Sequence, residues 1–113
     1  MTFNEGDQVY VLSWGWGGHL SRAVVSRVTK TQAIIGEGAR EQRFNRETGR
    51  RTGAHTWDAT RIELRDEDLD REYRIVVTKA LATRLSEAAR KGDPDEIREA
   101  FAKWDRADSE VAA

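Results

Sequence analysis

From Asp7 to Trp14 the apolar side chains alternate. Val9 and Val11 fall on one side, and Tyr10, Leu12 and Trp14 on the other. A period of two is that of a β-strand, and either side can be the interior. Gly15, Gly17 and Gly18 break the run. Residues 23–29 are rich in β-branched side chains and predict a second strand. Lys30-Thr31 leads tightly into a third at residues 32–35, and Glu37-Gly38 turns the chain into a fourth at residues 40–44. The polar stretch from Asn45 to Gly53 reads as a loop or hairpin tip, and Thr56-Trp57 and residues 60–64 as one or two closing strands.

After Leu64 the period changes. Leu69, Tyr73, Val76, Val77, Ala80, Leu81, Leu85 and Ala88 recur at steps of three and four, which marks one face of a helix. Asp66 or Asp68 can cap its start, and Gly92 ends it after two cations. Asp93-Pro94-Asp95-Glu96 restarts a helix: Asp93 as cap, Pro94 at the first position, Glu96 completing a capping box. Ile97, Ala100, Phe101 and Trp104 mark its apolar face. The expected fold is therefore α+β. A small barrel of five or six antiparallel strands spans residues 1–65, and a two-helix hairpin spans residues 66–113.

Composition sharpens this picture. With 113 residues the chain is sized for one small core and an added helical layer. It has no cysteine, so thiolate metal sites and disulfide frameworks are excluded. No apolar run is long enough to cross a membrane, and no signal-peptide pattern opens the chain, so a cytoplasmic location is expected. The net charge of −1 hides a division. Residues 1–65 carry ten Lys/Arg against seven Asp/Glu, and residues 66–113 carry nine against thirteen.

Within the basic front, Arg40, Arg43, Arg46, Arg50 and Arg51 are opposed only by Glu41 and Glu47. Guanidinium groups at that density suit a phosphate backbone, and Phe44 among them offers a plate for base stacking. A salt-bridged, solvated surface is the competing reading. Arg22, Arg27 and Lys30 extend the patch if their strands are neighbours. Trp14, Trp16 and His19 form a second candidate, a glycine-flanked aromatic loop directly after a strand. There a ligand-facing role competes with Trp14 as a core anchor. His19 and His55 match no metal-ligand spacing, and no phosphate loop or nucleophile elbow is present. No cofactor, no metal and no catalysis are expected. The acidic run from Asp66 to Glu72 reads as a helix start and a solvated face. The apolar surface of the hairpin leaves room for a homodimer or a protein partner.

The opening Asn4-Glu5-Gly6-Asp7-Gln8-Val9-Tyr10-Val11 resembles the start of SH3-like barrels of the KOW and Tudor kinds, where a Gly-Asp-x-Val step begins the first strand. Residues 24–32 and 43–49 also resemble small proteins of bacteriophages and actinobacteria. The resemblance implies a barrel that binds nucleic acid or protein segments, such as a host factor, in a phage setting. It carries over no catalytic residue and stops near Leu64.

Overall fold

The computed structural model describes residues 2–13, 19–53 and 59–112, excepting the side chains of His19 and Ala112. The elements run β1 (Gln8–Ser13), β2 (His19–Val28), β3 (Gln32–Ile35), a 3-10 turn (Gly38–Arg40), β4 (Gln42–Asn45), β5 (Arg61–Leu64), α1 (Glu67–Lys91) and α2 (Pro94–Ala112). Five antiparallel strands followed by two helices give the expected α+β class. The chain divides into two compact units, Met1–Asp66 and Glu67–Ala113. The closing strand expected at Thr56-Trp57 lies outside the described residues.

Strand order in the first unit is β4-β3-β2-β1-β5. The ten-residue β2 serves two neighbours. Its first part pairs with β1, from Ser13↔His19 to Gln8↔Val24. Its last part pairs with β3, at Val25↔Ile35, Arg27↔Ile34 and Val28↔Ala33. Ser26 is the extra residue between these registers, a β-bulge that bends the strand. Its hydroxyl sits 2.9 Å from the Ile34 carbonyl oxygen and 3.2 Å from that of Gly36, so the bend has its own hydrogen bond.

The outer edges of β4 and β5 are joined through residues 49–52. The Asn45 N–H donates to the Arg50 carbonyl (2.6 Å) and the Thr52 N–H to that of Arg43 (3.0 Å). On the other side the Arg51 N–H donates to Thr60 (3.1 Å) and the Ile62 N–H to Gly49 (2.8 Å). The sheet thereby curls into a small barrel. Its fourth strand begins at Gln42 and not at residue 40, because Gly38–Arg40 winds into the 3-10 turn.

The barrel core holds Phe3, Val9, Val25, Ala33, Phe44 and Ile62, with Val11, Ala23, Val28, Ile35 and Leu64 packed around them. The interior side of β1 is thus the Val9/Val11 side. Tyr10, on the opposite side, is also fully buried. Gly49 closes the Asn45 turn, where the Asn45 side-chain oxygen accepts from the N–H groups of Glu47 and Thr48, both at 2.9 Å. Gly49 has φ +76°, and a Cβ there would collide with the Ile62 carbonyl oxygen and press on the Phe3 ring at 3.3 Å.

In the second unit, Gly92 (φ +72°) ends α1, and Asp93 caps α2 by accepting from the N–H groups of Asp95 (3.0 Å) and Glu96 (3.2 Å). The expected capping box is only half formed. The Glu96 carboxylate faces the Lys91 ammonium at 3.4 Å, and the Asp93 N–H donates to the Ala88 carbonyl. The helices pack antiparallel. Arg74 grips the Asp108 carboxylate with two N–H groups (2.7 and 3.3 Å), and the Trp104 indole N–H donates to the Thr78 hydroxyl (3.1 Å). Val76 and Phe101, expected on the packed faces, are exposed. No described helix is long and apolar enough to cross a membrane.

Substituting Gly49→Ala combines left-handed backbone strain with a backbone collision, a cost of at least about 2 kcal/mol. Chemical denaturation is expected to show that loss, whereas alanine at Gly53, with nothing within 4 Å of its Cβ position, carries the backbone term alone.

Candidate functional site

The strand register gathers the basic residues. Arg27 on β2 stands opposite Ile34 on β3, and Ile34 stands opposite Arg43 on β4. The two arginines therefore lie in one row across three strands. Glu41, just before β4, is held between them. Its two carboxylate oxygens accept from Arg27 (3.0 Å) and Arg43 (2.7 Å), and a second Arg43 nitrogen donates to the Gln32 side-chain oxygen (3.0 Å). Desolvation pushes the Glu41 carboxyl up, but the hydrogen bond and charge of Arg27, then of Arg43, outweigh it and hold the group below its ordinary 4.5.

Arg40 ends the 3-10 turn and is exposed. Arg50 and Arg51 are exposed on the segment that joins β4 to β5. Among the described residues, the side chains of Arg40 and Arg50 make no ion pair. At about 4.8 Å per strand step, the path along the barrel wall from Arg27 on β2 to the Arg50 segment beyond β4 is about 14 Å, and it follows the curve of the sheet. Arg27 and Arg43 in one row with Glu41 set between them, and Arg40 and Arg50 exposed on the segments just before and just after β4, make up a cationic band on the barrel.

Two members of the expected set have other roles. Phe44 is fully buried in the barrel core, because the alternation that turns Arg43 outward turns Phe44 inward. No base can stack on it. Arg46 faces the N-terminal segment. Its guanidinium donates to the carbonyls of Phe3 (2.8 Å) and Thr29 (3.0 Å) and to the Asn4 side-chain oxygen (3.1 Å). It ties the chain start to the β2–β3 turn.

Arg27 joins the band because β2 is one strand from β4 across β3. Arg22 lies on the part of β2 that pairs with β1, where it donates to the Gln8 side-chain oxygen (3.2 Å). Trp14, Trp16, the His19 side chain and His55 lie outside the described residues. Among the described residues no cluster of His, Asp or Glu is placed to hold a metal ion. The central part of Glu41 was not visible as such in the sequence. Its position one residue before a strand that starts with Gln42 is the signal, and only the register reveals its two partners.

A carboxyl with a lowered folded-state pKa stabilises the fold above its unfolded value, and loses that contribution as pH falls through the folded value. The stability gap between the wild type and Glu41→Gln is therefore expected above pH 4.5 and is expected to close as the pH drops below it. Denaturation midpoints of the two proteins across an acid series measure this.

No curated protein and no solved structure matches the chain. One family profile, described as Phage ProQ C-terminal-like domain, matches residues 1–107. The match runs through the barrel and most of the helical hairpin, well past Leu64, where the resemblance read from the sequence stopped. The chain is thereby a phage-related small protein, and it belongs to the Phage ProQ C-terminal-like domain family.

Proposed function

We propose that the chain is a non-catalytic module that holds nucleic acid by its phosphate backbone. The cationic band of Arg27, Arg40, Arg43 and Arg50 on the barrel carries this reading. Guanidinium groups are always charged and offer paired N–H donors to anionic oxygens. Membership in a ProQ-related family supports the same direction. Because Phe44 is core, it gives the arginine band no stacking plate, which favours contacts to phosphates over reading of bases.

A second reading, a protein or self interface on the hairpin, draws on a separate observation. Ile75, Val76 and Phe101 are about half exposed, although residues of their size are usually packed away. A dimer through that surface raises the mass seen by light scattering at high protein concentration, and Phe101→Asp is expected to restore the monomer.

The main reading is tested by titrating labelled single-stranded RNA and DNA between about 50 and about 200 mM salt. Four phosphate contacts predict a log–log slope of about −3 on single strands. Arg40→Ala and Arg50→Ala are each expected to weaken binding and to flatten the slope by somewhat less than one. Arg46→Ala is expected to lower stability and leave the slope unchanged. Absence of binding to either polymer at the lower salt ends the proposal.

A further inference from the structure

The geometry points to the Arg27–Glu41–Arg43 clasp as a phosphodiester site occupied by the protein's own carboxylate. This rests on the nucleic-acid reading and deepens it. Each oxygen of the Glu41 carboxylate is taken by a different guanidinium, Oε2 by Arg27 and Oε1 by Arg43. A phosphodiester also presents two anionic oxygens on one atom. Two arginines set to hold one such pair are set to hold the other.

Several features separate this clasp from an ordinary surface ion pair. The two guanidiniums come from strands that are not neighbours, so backbone register and not side-chain chance brings them together. Arg43 is further braced by Gln32 on β3, which limits the freedom lost when it takes a ligand. Arg27 and Arg43 remain 53% and 48% exposed and so can be reached from solvent, while Glu41 is only 19% exposed. Glu41 sits between a 3-10 turn and a strand. Rotation of its side chain can release both arginines without moving either strand.

The energetics favour exchange. A phosphate that displaces the carboxylate takes over the same two guanidinium donors, both about half exposed, so the pairing lost with Glu41 is offset by the pairing gained. An incoming phosphate still has to compete with an intramolecular anion. A lone phosphate in dilute solution competes poorly. A polyanion tethered by neighbouring contacts at Arg40 and Arg50 competes at a high effective concentration. Glu41 therefore acts as a discriminator that favours a strand of linked phosphates over free phosphate or a mononucleotide.

The test uses the full chain and a labelled single-stranded RNA oligonucleotide, with inorganic phosphate as competitor. Glu41→Gln keeps the shape of the side chain and removes its charge. It is expected to tighten RNA binding about five- to tenfold, the scale of one unit charge removed at about 4 Å in a largely aqueous setting. It is also expected to steepen the salt slope by about 0.7, and to let inorganic phosphate compete at lower concentration than it does against the wild type. Glu37→Gln is the control, because Glu37 is exposed, close in sequence, and outside the clasp. Equal tightening by both variants overturns the inference in favour of net charge alone. Unchanged binding by Glu41→Gln, with Arg40→Ala and Arg50→Ala still weakening the wild type, overturns the clasp and leaves the nucleic-acid reading standing. Failure of every variant to bind RNA overturns both.

Discussion

The bend in β2 is the constraint on which the barrel depends. A single strand serves β1 with its first part and β3 with its last, and the change of partner falls at Ser26. One extra residue in a strand raises the local twist and lets a sheet turn a corner. The unpaired backbone that a bulge creates is answered locally, by the Ser26 hydroxyl facing the Ile34 and Gly36 carbonyls. Once β2 has turned, β3 and β4 swing toward β5, and the short segment at residues 49–52 closes the remaining gap. The core of six buried residues exists only inside that closure.

The same bend shapes the candidate site. On a regular strand Arg22 and Arg27, five residues apart, would fall on opposite faces, and the extra residue at Ser26 turns both outward. Here they serve different halves of the barrel, Arg22 beside Gln8 and Arg27 beside Glu41. The cationic band takes its members from β2, from the turn before β4, from β4 itself and from the closing segment. It is assembled by register, not by proximity in sequence.

That explains what the sequence disclosed. Alternation in residues 7–14, β-branched runs and glycine turns located the strands, and the three-four period with its caps located both helices. These are local signals that tertiary packing did not override. Residue roles were less legible. Phe44 looked like a stacking plate because arginines surround it, yet the alternation that makes Arg43 outward makes Phe44 inward. Arg46 looked like a phosphate contact, but its partners Phe3, Asn4 and Thr29 are distant in sequence, and no local pattern announces them. Val76 and Phe101 fit a helical stripe on spacing, but the packed face of each helix is narrower than the apolar set.

Closure at residues 49–52 has a consequence for how such a barrel can recognise anything. The Asn45 N–H and Arg43 carbonyl of β4, the Ile62 N–H of β5 and the Thr60 carbonyl just before it are engaged with Arg50, Thr52, Gly49 and Arg51. A sheet with an open edge can capture a partner by adding its backbone as another strand, a mode indifferent to most side chains. Along this seam that mode is already taken by the chain itself. Recognition there passes to side chains that project from the wall, so affinity and selectivity can change through single substitutions on the outer surface while the backbone lattice stays as it is.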